Sequence, residues 1–387
     1  MIKKKNYYPL AVDSWDTSEI SAINKVMKSG LYTMGNEVKK FEKEYAHYFK
    51  MKHAVMVNSG SSANFLSIFS LIISNKINFN YGDEVILPAL AWSTTYSPFY
   101  FVKSKLKIVD ININTLNVDL NLIKKAVTKK TKMIVAVSIL GNPADLEDLR
   151  IFCKNRNIIL FEDNCESLGA KLNGKFTGSF GLLSTCSFFF SHHISTIEGG
   201  MVLTNDSSLA KVIRSVRAHG WTRDIEQFNK KKIEYNFIYP GMNVRPTEIN
   251  AAIGRVQIKK LKKMINIRRN NFLLYNKLFN SNKAFYIQKE NGQTSSFSLT
   301  FVLRKNYKKY LEIIKKKLLQ NKIEFRLITG GCFTKHPYSK FFDYKIHNNL
   351  KNTNYIHENG FFIGNHPIDL EKKLIKVKKI LDEVINV

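Results

Sequence analysis

The sequence predicts an α/β protein: a mostly parallel seven-stranded sheet flanked by helices, followed by a smaller C-terminal α+β domain. Three observations predict it. Short apolar bursts alternate with longer stretches of helical periodicity through the first two thirds of the 387 residues. The bursts are the kind of strand that is covered by helices on both faces. Beyond about residue 250 the pattern changes, to one long helix and then strands and helices in a new order. The expected domains are therefore 1–250 and 251–387, and the length suffices for two sizeable cores.

In chain order, Ser18 to Lys28 has helical periodicity and stops at Ser29-Gly30, and Asn36 is placed to cap a second helix running to about Phe49. His53 to Val57 is a short strand. It runs into the small-residue turn Asn58-Ser59-Gly60-Ser61-Ser62-Ala63-Asn64 and an apolar helix from Phe65 to Ile73. Strands are expected at Glu84 to Leu87, Leu106 to Val109, Met133 to Val137 and Ile158 to Phe161. Helices are expected at Ser93 to Tyr100, Leu120 to Val127 and Leu146 to Lys154. A sixth strand ends near Ser187 and a seventh opens at Gly199-Gly200. A helix follows at Ser208 to Val216, then a charged, loop-like stretch from Asp224 to Tyr235, and Thr247 is placed to cap a helix reaching about Phe279. The last part reads as strand (Ser296 to Val302), helix (Tyr307 to Leu319), strand (Ile323 to Leu327), strand (Phe361 to Gly364) and an amphipathic helix (Asp369 to Ile385).

Lys plus Arg number 60 against 31 Asp plus Glu, a formal charge of +29. The basic residues are spread along the chain with no basic-aromatic motif, so a nucleic-acid partner is not expected. A positive surface does raise the encounter rate of an anionic small substrate. Cys153, Cys165, Cys186 and Cys332 have no metal-ligand spacing, and the basic start Met1-Ile2-Lys3-Lys4-Lys5 lacks a following apolar segment. Reduced thiols in a cytoplasmic protein are the expectation. No apolar run is long enough to span a bilayer.

Sites in open α/β sheets collect at the carboxyl ends of the strands. Asp163, Trp92 and the Gly60-Ser61 turn all fall there. The turn between strand and helix is a natural phosphate cup, although such turns also cap helices everywhere. Asp163 alone reads equally as a helix cap, Trp92 alone as core, and Asn243-Val244-Arg245-Pro246 as a simple helix start. The most distinctive stretch is Ser187-Phe188-Phe189-Phe190-Ser191-His192-His193-Ile194-Ser195-Thr196-Ile197-Glu198-Gly199-Gly200, a strand, a histidine pair, a polar loop and Glu-Gly-Gly opening another strand. That is the layout of a buried catalytic loop.

These words, in this order over nearly the whole chain, resemble the sugar aminotransferase (DegT/DnrJ/StrS-like) family of pyridoxal-phosphate enzymes, which has the fold type I transferase architecture. In that family a lysine that binds the cofactor covalently precedes the acidic-Gly-Gly by six or seven residues. Here that position holds His192, which cannot form the link. The resemblance implies pyridoxamine or pyridoxal 5′-phosphate as cofactor and His192 as acid/base. It also implies Asp163 at the ring nitrogen, Glu166 at the ring hydroxyl (glutamine is more common), Trp92 stacking on the ring, and Gly60, Ser61 and Ser187 on the phosphate. Asn243 and Arg245 would reach across a homodimer interface, Asn243 to the cofactor and Arg245 to the substrate, and His219 and Arg223 would lie near the sugar or the amino donor.

Within the family, the words Ala91-Trp92-Ser93-Thr94-Thr95-Tyr96, Leu140-Gly141-Asn142-Pro143, Arg217-Ala218-His219-Gly220-Trp221-Thr222-Arg223 and Ile363-Gly364-Asn365-His366 resemble the branch that removes the C3 hydroxyl of GDP-4-keto-6-deoxy-D-mannose in colitose biosynthesis. That branch implies L-glutamate as the amino donor that restores the cofactor amine. An imidazole titrating near neutrality suits a group that is base first and acid afterwards. Three rivals stand beside this reading. One is a dehydratase of CDP-4-keto-6-deoxyglucose, which carries an iron–sulfur cluster that four scattered cysteines do not suit. The second is an inactive aminotransferase fold, and the third is a 4-amino-sugar aminotransferase with its lysine elsewhere.

Overall fold

The computed structural model describes residues 7–224 and 235–385, so most of the charged 224–235 stretch lies outside the described residues. Helices α1 (Thr17–Ser29) and α2 (Asn36–Tyr48) precede β1 (His53–Val57) and α3 (Gly60–Ile73). Then come β2 (Glu84–Pro88), α4 (Ser93–Phe101), β3 (Lys105–Val109), α5 (Leu120–Ala126), β4 (Thr131–Val137), α6 (Leu146–Asn155) and β5 (Ile159–Asp163). The two-residue strands β6 (Lys171–Leu172) and β7 (Lys175–Phe176) form a hairpin before β8 (Leu183–Ser187), β9 (Gly200–Thr204) and α7 (Ser207–Arg217). The C-terminal part runs α8 (Glu248–Phe279), β10 (Phe285–Tyr286), β11 (Ser298–Leu303), α9 (Leu311–Gln320), β12 (Tyr344–Ile346), α10 (Lys351–Asn359), β13 (Gly360–Gly364) and α11 (Glu371–Ile385).

The main sheet has the order β1-β9-β8-β5-β4-β2-β3-β12. Only β9 opposes the others, since its pairings with β1 and β8 are antiparallel and every other pairing is parallel. All seven expected strands are present, and the count is corrected to eight. The added strand, β12, pairs with β3 at the sheet's edge. It is three residues long and mostly exposed, so it has neither the length nor the apolar run that marks an interior strand.

Register sets the site. Val137 and Asp163 end β4 and β5 and stand side by side with Thr185 in the middle of β8. Val57, Gly200 and Ser187 do the same across β1, β9 and β8. Two helix starts differ from expectation. Helix α3 begins at Gly60, because Ser59 caps it through its hydroxyl, which accepts from Ser62 N–H at 3.0 Å. Asn36 is the first residue of α2 and not its cap. The Gly35 cap has no side chain to offer, so the carboxylate of Glu248 accepts from the N–H groups of Gly35, Glu37 and Val38 at 2.8, 2.8 and 2.9 Å. Thr247 caps α8 as expected, its hydroxyl accepting from Asn250 N–H.

The strand expected at Ile323 to Leu327 does not form. Its alternation is strand-like, but its neighbours offer only a single bridge each, Tyr8 to Ile323 and Arg326 to Phe362. A second core gathers Phe272, Tyr275, Phe279, Phe301 and Phe361, and takes in Tyr8 from the start of the chain. Helix α8 joins the two cores, since its first half packs on α1 and α2 and its second half enters this cluster. Among the described residues no helix is long and apolar enough to cross a membrane.

Candidate active site

Asp163 closes β5 with its carboxylate at the carboxyl end of the sheet, 5% exposed. One oxygen, Oδ2, accepts from Asn64 Nδ2 at 3.0 Å and from the Thr95 hydroxyl at 2.7 Å. The other accepts from the Cys165 N–H at 3.2 Å. Asn64 is itself fixed, its Oδ1 accepting from the Thr185 hydroxyl at 2.6 Å. A strand, two helices and a neighbouring strand therefore aim this carboxylate. Asn64 and Thr95 carry no motif of their own and were not singled out from the sequence. Their one signal is position, four residues into α3 from Gly60 and three beyond Trp92.

His192 and His193 occupy the loop between β8 and β9. His192 is partly buried, with Nδ1 2.8 Å from the carbonyl oxygen of Cys165. A carbonyl only accepts, so Nδ1 carries the hydrogen and Nε2 keeps its lone pair. Its ring lies 5.0 Å from that of Phe297, centroid to centroid. Burial pushes its pKa down to about 4; the Arg268 guanidinium lowers it further, and the bond to Cys165 and the charge of Asp163 work the other way. The ring is thus neutral at physiological pH, which corrects the expectation of an imidazole titrating near neutrality. His193 is 2% exposed, and its Nε2 donates to the Ser295 carbonyl at 3.2 Å. Burial, again with Arg268, holds its pKa well below the ordinary value.

The other expected residues gather around this pair. A side chain at Gly60 would strike Ser187 Cβ at 2.7 Å, so the start of α3 and the end of β8 touch. The N–H groups of Gly60 and Ser61 lie in the first turn of α3 and have no acceptor within the helix. The Ser61 hydroxyl bonds Thr94 Oγ1 at 3.1 Å, tying that turn to the segment that follows Trp92. Trp92, 58% exposed, sits at the N-cap of α4 with its indole faced by Gly330. Glu166 Oε2 accepts from Leu140 N–H at 2.9 Å and from the Thr329 hydroxyl at 3.3 Å. Burial pushes its pKa up to about 7, and Asp163 adds to that. Thr329 and Leu140 have no sequence motif, although the Gly330-Gly331 doublet signals an unusual turn.

The remaining four are Asn243, Arg245, His219 and Arg223. Asn243 is exposed and accepts from Arg245 Nε at 3.0 Å. His219 is exposed, and Arg223 is exposed and rests over the Trp221 ring. None of them bonds Asp163, Glu166, Ser187 or His192 among the described residues.

The residues present suit pyridoxal phosphate. A helix N-terminus with open N–H groups suits the phosphate, a firmly held carboxylate suits the ring nitrogen, and an exposed indole offers a flat partner. No lysine lies between Ser187 and Gly200. Fold and site together define a protein of the pyridoxal-phosphate aminotransferase fold with an imidazole where the covalent lysine would stand. The chain belongs to the DegT/DnrJ/EryC1/StrS aminotransferase family, which matches residues 13–382. It is 44% identical over 384 residues to GDP-4-keto-6-deoxy-D-mannose 3-dehydratase of Yersinia pseudotuberculosis, covering 97% of this chain and 98% of that one. A solved GDP-4-keto-6-deoxymannose-3-dehydratase, a mutant with bound GDP-perosamine, superposes with a TM-score of 0.94 at 42% identity, covering 97% of this chain and 100% of that one. A structure of that enzyme with a trapped PLP-glutamate geminal diamine gives 0.92 at 41% identity, covering 97% and 100%. All four cysteines are free, and among the described residues no cluster of His, Cys, Asp and Glu is placed to hold a metal.

Proposed function

We propose that this chain is a pyridoxamine/pyridoxal-phosphate-dependent 3-dehydratase that removes the C3 hydroxyl of GDP-4-keto-6-deoxy-D-mannose, with L-glutamate restoring the cofactor amine. The observation that carries the reading is His192 in the lysine's position, its Nδ1–H committed to Cys165 and its Nε2 free. When bound, the cofactor supplies an amine for the C4 ketone and a sink for electrons. His192 Nε2 takes up a proton and returns one to the departing hydroxyl oxygen, as a single acid/base does. Asp163, fixed by Asn64 and Thr95, holds the proton on the ring nitrogen. The first turn of α3, with Ser187, binds the phosphate, and Trp92 orients the ring. His193 is too enclosed to exchange protons with a substrate and supports the loop.

The same proposal includes a homodimer in which Asn243 and Arg245 serve the neighbour's site, Asn243 on the cofactor and Arg245 on the substrate. Asn243 is exposed and Arg245 half-buried in the single chain, and among the described residues their side chains bond each other rather than the residues of this chain's own pocket, which supports it. His219 and Arg223 would contact the substrate. Residues 1–250 would form the cofactor domain and 251–387 the smaller one, in the cytoplasm. The +29 charge then favours capture of an anionic nucleotide sugar.

The test supplies the purified protein with pyridoxamine phosphate and 4-keto-6-deoxy sugars linked to GDP, CDP or dTDP, and assays ammonia. Release with the GDP sugar supports the proposal. Cofactor binding without ammonia from any of the sugars overturns it.

A further inference from the structure

Two residues in a backbone conformation that L side chains rarely adopt meet at one carboxylate oxygen. Leu140 has φ 52° and ψ 32°, and its N–H donates to Glu166 Oε2. Thr329 has φ 43° and ψ 44°, and its hydroxyl donates to the same atom. They lie 189 positions apart in the chain. A left-handed β-branched residue is an outlier, and such residues persist where the surroundings over-determine them.

The surroundings do so here. Gly141, at φ 91°, is pressed against the backbone of Ser296, where a side chain would stand 2.6 Å from the Ser296 nitrogen. Phe297 N–H donates to the Leu140 carbonyl at 2.8 Å. On the other side Gly330 and Gly331, at φ 74° and 81°, continue the left-handed run, so the one non-glycine residue in it is the one whose hydroxyl meets Glu166. His336 Nε2 donates to the Gly330 carbonyl at 2.6 Å, and Phe333 N–H donates to Ala89 at 2.8 Å, anchoring the turn beside Trp92. Thr329 is 3% exposed, so water does not substitute for its hydroxyl.

We propose that Thr329 is a positioning residue: with the Leu140 N–H it fixes Glu166 Oε2 to the protein and turns Oε1 toward the bound cofactor. The inference rests on the reading that Glu166 faces the cofactor ring. Two donors on one oxygen select one rotation of the carboxyl group and favour its charged form. Burial opposes that form, as does the charge of Asp163. The Thr329 hydroxyl therefore contributes, beside the Leu140 N–H, both to where the carboxyl points and to how readily it loses its proton.

The test compares Thr329→Val, which keeps the branched shape and removes the donor, with Thr329→Ser, which keeps the donor. The first readout is the pH titration of the Glu166 carboxyl in the cofactor-free protein, followed by carbon-detected NMR. The second is pyridoxal phosphate affinity, measured through the pH-dependent absorbance of the bound ring. Valine is expected to move the Glu166 titration to higher pH and to weaken cofactor binding about 10-fold, and serine to restore both. An unmoved titration in the valine variant overturns the proposal. So does an equal shift in both variants, which assigns the effect to shape. Should valine fail to fold, Thr329→Ala enters the same comparison. Failure of the parent protein to bind pyridoxal phosphate sinks the functional reading instead, and the cofactor-free titration keeps the two outcomes apart.

Discussion

The Nδ1 atom of His192 lies 2.8 Å from the carbonyl oxygen of Cys165, and this bond assigns the basic nitrogen. Cys165 follows Asp163 by two positions, so the strand that aims the carboxylate also orients the imidazole. Both groups are placed by β5 and the few residues after it.

Replacing His192 by asparagine keeps a polar group that can still donate to Cys165 but removes the base. Sugar dehydration should fall by about 100-fold or more while pyridoxal phosphate still binds, as shown by its absorbance. His192→Lys should make the opposite change. It is expected to form a covalent link to the cofactor that borohydride traps, and to divert product toward a 4-amino sugar. An active asparagine variant would move the acid/base role to another group.

The neutral His192 has a consequence for stability. Its pKa is about 4 in the folded protein and about 6.5 when unfolded. Between those values the unfolded chain binds more protons, so this residue's share of stability is complete above about pH 6.5 and is lost as the pH falls toward 4. The full difference corresponds to about 3 kcal/mol. Glu166, raised to about 7, acts in the opposite sense between about 4.5 and 7, so the parent alone does not isolate the effect. Denaturant titrations at pH 7 and 5 should show a smaller acid loss in His192→Asn than in the parent. Equal losses would show that the histidine is charged when folded.

Glu248 is a purely structural case. Its carboxylate caps α2 through three N–H groups while standing in the first turn of α8. Glu248→Gln replaces one acceptor oxygen with a donor and should lower stability by about 1–3 kcal/mol. Thermal unfolding measures this, and cofactor affinity at 20 °C should be unchanged.

Much of the chain was legible because periodicity and caps are local. Thr247 named the start of α8, and β2, β3, β4 and β5 announced themselves by apolar bursts, whereas β8 (Leu183-Ser184-Thr185-Cys186-Ser187) is largely polar. What escaped depends on distant partners. Nothing near Asn36 says that Glu248, more than 200 positions away, will cap its helix. The left-handed turns at Leu140 and Thr329 leave no trace beyond neighbouring glycines. The lowered pKa of His192 reflects burial under Phe297 and the charge of Arg268, which only the folded chain brings there. Asp163 and its place at a strand end were readable, whereas Asn64 and Thr95, which aim it, were not.

The proposed homodimer, with Arg245 serving the neighbour's site, makes a mixing prediction. His192→Asn and Arg245→Ala homodimers should each be nearly inactive. Co-expressed, they form heterodimers with one intact site, so activity should reappear in the heterodimer fraction after separation by differently tagged subunits. No recovery would confine each site to a single chain.

The central claim is that an imidazole in place of lysine turns nitrogen transfer into water loss. Mass analysis of the sugar formed from GDP-4-keto-6-deoxy-D-mannose with pyridoxal phosphate and L-glutamate tests it most directly. A ketosugar lacking one oxygen atom, formed with equal amounts of ammonia and 2-oxoglutarate, is the outcome expected. A 4-amino sugar that keeps its C3 hydroxyl, with no ammonia released, would contradict it.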